Sequence, residues 1–467
     1  MHDPASLLVL LLSIVSAALV LWAGRRTGVS ALLVVAWGTH MVLWNVIPFT
    51  LQQFIRAPLE NSVGPISRIQ LSVLHASILL LLVLIHFAFR RPVVEPVVSF
   101  FNQFAPAPER LFQACALSFV LLVGVELRLS QVSGSSFNDI VAFTVTADAG
   151  QLAQSGLLGT MLGLLVGFSL AVISLGRREG VTRGALYLSW LAILAYCGFS
   201  ISRGSRSIVL FPAIAGLVAI SALRGRARAR ATRWVVVLGV LTIVIGAPIT
   251  AVMGLARGGL TTVSFDLVSD AYNVLFGTTS INQQLQTIVE EANRKYDAIG
   301  PGVELLAMEP PGSAGLTPFL SASASPIPRI MYQSKPVPTS RDGTYLGTPY
   351  YIAAKAYGDP SVGMIVPVSA TAISIWEFGA LGPLVMVLMN IINLLVLNTV
   401  LLSRNVLARA IGISFLGFSN AEFLVGPPSS LLQNDLRLSL LIGMLAVALL
   451  AWDALAKQRG RVAVTAS

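Results

Sequence analysis

Two arginines lie close together in a serine-rich run, Ser200-Ile201-Ser202-Arg203-Gly204-Ser205-Arg206-Ser207. Guanidinium forks with hydroxyl groups and a glycine-opened backbone between them suit an anionic ligand, most naturally a phosphate. The alternative is that Arg203 and Arg206 only anchor the following apolar run by reaching lipid headgroups. These residues alone leave both interpretations open.

Tyrosines are concentrated in one later part of the chain. The five tyrosines of this part are Tyr332, Tyr345, Tyr350, Tyr351 and Tyr357. Flat rings with a polar tip suit the faces of sugars, so Tyr332, Tyr345 and Tyr350 are candidate sugar-binding residues. The alternative is that the tyrosines form a small core of the loop itself.

The composition is that of a membrane protein. The chain has 467 residues, of which 55% are hydrophobic and 11% charged, whereas soluble domains average about 25% charged residues. Several apolar runs reach the roughly 20 residues that a spanning helix needs. The net charge of +10 lies mainly in short loops between these runs, which argues against nucleic-acid binding. Cys115 and Cys197 fall inside predicted spans, which argues against disulfides and cysteine-based metal sites.

Hydropathy predicts an all-α polytopic protein with about eleven (10–12) transmembrane helices. A partial helix at 362–378 is a candidate twelfth. The predicted spans are residues 5–24, 29–50, 69–89, 111–129, 156–176, 185–199, 207–223, 234–254, 380–402, 406–425 and 439–456.

Arginine and lysine give the spans an orientation, because short cytoplasmic loops retain them. The segments assigned to the cytoplasm hold 18 of the 31 Lys and Arg residues, including five arginines between positions 224 and 233. The N-terminus is therefore predicted outside and the C-terminus inside. Arg203 and Arg206 then lie at the outer face.

Three regions follow from this topology. Residues 1–254 hold eight spans, residues 255–361 form a large outer loop, and residues 362–467 hold the partial helix and three spans. Within the loop, Ser280-Ile281-Asn282-Gln283 has the form of a capping box, and Gly300 is predicted to stop that helix. Ten of the 24 prolines lie between Pro301 and Pro360, which predicts a stiff lid without long helices.

Motifs of the second half resemble the bacterial O-antigen polymerase (Wzy) family. The arginine run is followed by Pro326-Ile327-Pro328-Arg329, by Lys335-Pro336 and by Trp376-Glu377-Phe378-Gly379-Ala380-Leu381-Gly382. Members of that family also show a Gly-Ser-Arg stretch, a Pro-Arg followed by Lys-Pro, and a Phe-Gly-x-x-Gly motif that opens the next span. The resemblance covers about residues 200–402. Glu377 stands where the family often has asparagine, and Ser374 stands where it often has an acid.

The resemblance implies a GT-C-type, metal-independent glycosyltransferase without cofactors in the bacterial inner membrane. It would transfer a growing glycan from undecaprenyl diphosphate to a lipid-linked repeat unit at the periplasmic face. Membrane lipid and a regulator of chain length are the further partners that it suggests. Fixed cations stabilise the charge that builds on a departing diphosphate. The cations assigned to that role are Arg203, Arg206, Arg329, Lys335 and, more weakly, Arg257.

The acceptor hydroxyl of such a reaction needs a general base or an orienting group. The predicted loop contains no histidine, and His75 lies in a span, where a packed helix residue is expected. A carboxylate is therefore the expected base, with Glu377 first and Asp342 second. Pairing of Glu377 with an arginine is the alternative.

Two other functions remain open. An O-antigen ligase has the same architecture, but the loop lacks the histidine expected of a ligase. A lipid-linked oligosaccharide flippase or transporter would show related halves and broken helices at the membrane midplane. The sequence shows neither feature clearly.

Overall fold

The computed structural model describes ten stretches and four single residues of the chain. The spans predicted at 29–50, 207–223, 234–254 and 439–456 lie outside them, as do most residues of the large loop. The described residues are 7–16, 66–88, 101–102, 108–133, 149–175, 181–202, 298–324, 368–403, 405–418 and 426–433, with residues 18, 99, 327 and 436.

The described residues are almost entirely helical. Besides a short apolar helix at Leu7–Ser16, we number nine helices in chain order. They are α1 (Arg68–Ala88), α2 (Pro108–Ser133), α3 (Ala149–Leu175), α4 (Arg183–Ser202), α5 (Ile299–Met308), α6 (Thr317–Ala324), α7 (Ala370–Phe378), α8 (Gly382–Leu402) and α9 (Val406–Phe418).

Among the described residues, three helical segments are long and apolar enough, by length and composition, to cross a membrane. They are Arg68–Ile85, Leu111–Val132 and Ala370–Asn393. The first two coincide closely with the predicted spans at 69–89 and 111–129. The described fold is thus compatible with the predicted all-α membrane protein.

The outer faces of these helices carry large exposed apolar side chains. A soluble monomer rarely exposes a contiguous apolar surface of this kind, whereas lipid tails accept it at no cost. Examples on four helices are Leu84, Leu117, Val120, Leu194 and Leu388.

Helices α3 and α9 meet through small residues. Ser414 Oγ donates to the Gly163 carbonyl oxygen at 2.9 Å. A Cβ on Gly167 would lie 2.5 Å from the Ala410 carbonyl oxygen and 2.9 Å from the Ser414 nitrogen, so no side chain fits there. Gly163 and Gly167 form the Gly-x-x-x-Gly spacing that lets helix backbones approach closely in membranes.

Gly167→Ala should therefore destabilise the protein by about 1–3 kcal/mol, the usual cost of overpacking. The matched control is Gly159→Ala in the same helix, where no neighbouring atom lies within 4 Å of the added Cβ. That change should be neutral or stabilising by up to about 1 kcal/mol, because alanine favours helix. Thermal unfolding of the detergent-solubilised variants makes the comparison, and equal melting temperatures would contradict the close crossing.

Helix α8 runs back along α7, so residues 370–393 form a hairpin rather than one straight helix. Thr371 Oγ1 lies 3.9 Å from Met386 Sδ, and Ser374 Oγ lies 3.8 Å from the same sulfur. Helix α7 has nine residues, about 14 Å at 1.5 Å per residue. Helix α8 has 21 residues, which is about 31 Å and enough to span.

Two glycines make the hairpin turn, and both belong to the Phe-Gly-x-x-Gly motif. Gly379 has φ 59° and ψ −137°, a backbone conformation that side chains strongly disfavour. A Cβ on Gly382 would lie 2.7 Å from the Ile375 nitrogen and closer still to the Ser374 carbonyl group. The spacing of this motif thus has a structural explanation, because each glycine occupies a position that alanine cannot take without strain.

Helix α5 of the large loop is buried against α1 and α7. Ile299, Val303 and Leu306 share a hydrophobic cluster with Leu71 and Trp376. The predicted helix stop at Gly300 is wrong, because α5 begins at Ile299 and Gly300 lies in its first turn. Burial of the Ile299 side chain outweighs the low helix propensity of the glycine that follows it.

Candidate functional site

Glu377 is the one predicted site residue that lies among the described residues. The other predicted catalytic residue, Asp342, lies outside them, and so do all the candidate binding residues. Those binding residues are Arg203, Arg206, Arg257, Arg329, Lys335, Tyr332, Tyr345 and Tyr350.

Within the described part of the chain, the Glu377 side chain is hydrogen-bonded by one residue, Ser429. The residue is 1% exposed and lies in the last turn of α7. The Ser429 hydroxyl donates a short hydrogen bond to Glu377 Oε1. The Ser429 backbone N–H donates a longer one, 3.4 Å, to Glu377 Oε2. Both carboxylate oxygens therefore face the segment that carries Ser429.

Residues 428–433 form a short helix whose N-terminus meets this carboxylate. The Leu431 N–H donates to the Pro427 carbonyl oxygen at 3.0 Å, which closes the first turn. The Ser429 N–H belongs to that turn, where helix donors have no partner within the helix. Glu377 supplies the acceptor from another helix.

Asn390 fixes the start of the same segment. Its Nδ2 donates to the Gly426 carbonyl oxygen at 3.2 Å and to the Met386 carbonyl oxygen at 2.7 Å. The turn that leads to Ser429 is therefore tied to both helices of the hairpin, through Glu377 on α7 and Asn390 on α8.

Two further polar residues of α7, Thr371 and Ser374, lie one to two turns before Glu377, and Thr371 contacts His75 of α1. His75 Nδ1 of α1 lies 2.8 Å from Thr371 Oγ1. Ser374 Oγ donates to the Thr371 carbonyl oxygen at 2.8 Å. His75, Thr371 and Ser374 are fully buried, as expected for the packed helix histidine predicted in this span.

The large loop is attached to the end of α7 by its backbone. The Gly312 N–H donates to the Ile375 carbonyl oxygen at 2.9 Å, and the Ala314 N–H donates to the Trp376 carbonyl oxygen at 3.3 Å. Phe319 of α6 packs edge-on against Phe378, with ring centroids 6.0 Å apart. The loop thus donates to carbonyl groups in the last turn of α7, where the Ile375 oxygen also accepts from the Gly379 N–H.

This geometry suits Glu377 for positioning more directly than for proton transfer. A general base must reach the proton that it removes, directly or through one water. The Glu377 carboxylate instead contacts Ser429 and is closed to solvent. To act as a base it must exchange Ser429 for the acceptor hydroxyl, and its catalytic role therefore stays a prediction.

The sequence analysis did not identify three buried polar residues, Ser429, Asn390 and Glu126. Glu126 is fully buried in α2, and an acid inside an apolar run is a signal that the sequence itself contains. Ser429 and Asn390 carry no such signal. Ser429 joins Glu377 across 52 positions, and only the fold brings the two together.

Removing the Ser429 hydroxyl should destabilise the protein more than removing the hydroxyl of its neighbour Ser430. Ser429→Ala leaves a buried carboxylate oxygen without its donor, which costs about 1–3 kcal/mol. The control is Ser430→Ala, at a half-buried position one residue later. That change should stay within about 0.5 kcal/mol. Thermal unfolding of both variants is the measurement, and equal losses would contradict the assigned contact.

Comparison of the chain with protein-family models, with curated proteins and with solved structures gives no match.

Proposed function

We propose that this chain is a polysaccharide polymerase of the bacterial inner membrane. It transfers a growing glycan from undecaprenyl diphosphate to a lipid-linked repeat unit at the periplasmic face. The proposal includes the topology of about eleven spans, with the N-terminus periplasmic and the C-terminus cytoplasmic. It is supported by the sequence motifs and by the hydrogen bonds that join the loop to α7.

One observation supports the proposal more than any other. The large loop donates two backbone hydrogen bonds to α7 at the residues just before Phe378-Gly379. Two regions that carry the resemblance, the loop and the Phe-Gly-x-x-Gly turn, are thereby joined at the helix that carries Glu377. An enzyme of the proposed kind needs such a junction, because its loop cations and its acceptor group must act on one substrate.

The proposed reaction is a displacement at a sugar carbon. The acceptor oxygen forms a bond to the anomeric carbon while the bond from that carbon to the diphosphate oxygen breaks. The acceptor proton passes to Glu377 or Asp342, and undecaprenyl diphosphate leaves with the bonding electrons. Arg203, Arg206, Arg329 and Lys335, helped by Arg257, stabilise the negative charge on the departing diphosphate. The sugar binds against the rings of Tyr332, Tyr345 and Tyr350.

A direct assay tests the proposal. Full-length protein in nanodiscs is incubated with undecaprenyl-diphosphate-linked repeat units, and products are separated by mass. We expect two repeat units on one lipid together with free undecaprenyl diphosphate. Transfer only to added lipid A core would favour the ligase instead. Unchanged substrate would contradict glycosyl transfer between repeat units.

A second function is favoured by the short helix α7. A transporter is expected to contain broken helices with buried polar groups, and α7 has nine residues, with Thr371, Ser374 and Glu377 buried. Proteoliposomes distinguish the two functions. A transporter moves the intact lipid-linked sugar to the other leaflet, whereas a polymerase forms new glycosidic bonds.

Divalent metal should be unnecessary for the proposed reaction, because arginine and lysine supply the positive charge. Treatment with EDTA should leave the polymerisation rate unchanged in a buffer without added metal. The control adds Mg²⁺ back after chelation. A rate that falls with EDTA and recovers with Mg²⁺ would contradict the assignment of the charge to side chains.

A further inference from the structure

The large loop contains a stretch without a single charge. Residues 310–328 include no Asp, Glu, Lys, Arg or His, whereas Glu309 precedes them and Arg329 follows. At the average charged fraction of a soluble domain, 19 residues would hold about five charges. This composition is unusual for a segment predicted to lie in water.

The largest aliphatic side chains of this stretch are exposed, whereas Ala322 is buried. Leu316 is 60% exposed and Leu320 is 63% exposed. Leu316 directly precedes α6 and Leu320 lies in its first turn, and the Leu320 N–H donates to the Leu316 carbonyl oxygen at 2.9 Å. A four-residue spacing with this bond puts the two side chains on the same side. Ile327 is also exposed. The segment therefore presents an apolar surface away from the helices that it contacts.

That surface adjoins the apolar face of α8. The segment is fixed to the hairpin through Gly312 and Ile375, and through Phe319 and Phe378. Leu381, in the hairpin turn itself, is 64% exposed. From it, exposed Leu384, Leu388 and Ile392 continue along α8 at helical spacing. The apolar surface thus extends from the loop segment onto a helix long enough to span.

One side-chain hydroxyl of α6, that of Ser323, is hydrogen-bonded within its own helix. Ser323 Oγ donates to the Leu320 carbonyl oxygen at 2.7 Å, an arrangement common to serines in helices. Backbone groups at both ends of α6 are also paired, as the hydrocarbon layer requires. The Thr317 N–H donates to the Ala314 carbonyl oxygen at 3.3 Å. The Ala324 carbonyl oxygen accepts from the Ile327 N–H at 3.1 Å. A segment without charges whose polar groups are paired in this way is suited to contact with lipid.

We propose that residues 310–324 enter the bilayer, with Leu316 and Leu320 among the acyl chains. They occupy the leaflet in which α8 begins. The ligand of this surface is phospholipid, and the segment forms a membrane-inserted element within a loop otherwise predicted to lie outside. This inference does not depend on the proposed glycosyl transfer, because it rests on exposure, composition and contacts.

Spin labels test the insertion in the full-length protein. Single cysteines replace Leu316, Leu320 and, as a lipid-facing reference, Leu388, and each is labelled in nanodiscs of phosphatidylethanolamine and phosphatidylglycerol. Power-saturation EPR then measures collisions with O₂, which enriches in lipid, and with a water-soluble nickel complex. We expect labels at 316 and 320 to collide more with O₂ than with nickel, as at 388.

Two controls keep the result interpretable. Wild-type protein, which retains Cys115 and Cys197, sets the labelling background. A cysteine in place of Arg183, exposed in the first turn of α4 and outside the predicted span at 185–199, provides the polar reference. Because all the replaced side chains are exposed, the variants should elute from gel filtration as wild type. Nickel collisions at 316 or 320 that match those at 183 would overturn the proposal.

A second measurement covers the case in which a spin label disturbs the segment. A benzophenone amino acid at position 320 is irradiated in the same nanodiscs, and the protein is analysed by intact mass. Phospholipid adducts at 320, as abundant as those at 388, are expected. Their absence at 320, together with their presence at 388, would place the segment in water and reject the insertion.

Discussion

Gly382→Ala should destabilise the protein by about 3 kcal/mol or more, near the upper end of single substitutions. The added Cβ would lie 2.7 Å from the Ile375 nitrogen and closer to the Ser374 carbonyl group. Those atoms belong to the backbone of α7, so no side-chain rotation relieves the clash. Helix α8 must then separate from α7, and the contacts of Met386 with Thr371 and Ser374 are lost.

The matched control is Gly124→Ala in α2, where no atom lies within 4 Å of the added Cβ. Both changes add one methyl group to a glycine of a helix, so their difference reports the close approach in the hairpin. Thermal unfolding followed by fluorescence-detected gel filtration measures both variants. Melting temperatures within a degree or two of each other would contradict the hairpin geometry.

Arg203→Ala and Arg329→Ala should each reduce polymerisation at least about 100-fold, the effect of removing one group that stabilises transition-state charge. Single repeat units should accumulate on the lipid. Arg203→Lys should recover only part of the activity, because lysine keeps the charge but loses the forked, two-bond contact with phosphate.

The control for charge alone is Arg226→Ala, at the opposite end of the same predicted span. It removes one arginine from the predicted cytoplasmic side and should leave the polymer ladder unchanged. The assay compares chain lengths made by purified variants from the same lipid-linked substrate. Normal ladders from both Arg203→Ala and Arg329→Ala would remove the diphosphate site from the proposal.

Local hydropathy was enough to predict the long helices. The boundaries of α1 differ from the predicted span by one residue at each end, because a continuous apolar run bounded by arginines leaves little freedom. The hairpin is different. Hydropathy separated a partial helix at 362–378 from a span at 380–402, close to the observed α7 and α8. It did not predict the reversal between them, which depends on the left-handed backbone at Gly379 and on the contact at Gly382.

The candidate site was predictable only in part. Glu377 stands out in the sequence as an acid beside an apolar run and a glycine motif. Its partner Ser429 does not stand out, because it is one serine among many. Only the fold places its N–H and its hydroxyl within reach of the Glu377 carboxylate. The burial of α5 was missed for a related reason, since its partners Leu71 and Trp376 are far away in the chain.

Helix α7 depends on residues made long before it and long after it. Its Thr371 contacts His75, which is 296 positions earlier in the chain. Its Glu377 is hydrogen-bonded to Ser429, which is 52 positions later. During synthesis, α7 is therefore complete before Ser429 has been added to the chain. A nascent chain stopped short of residue 426 should keep α7 exposed to proteases, which makes this short helix a late step in the biogenesis of the protein.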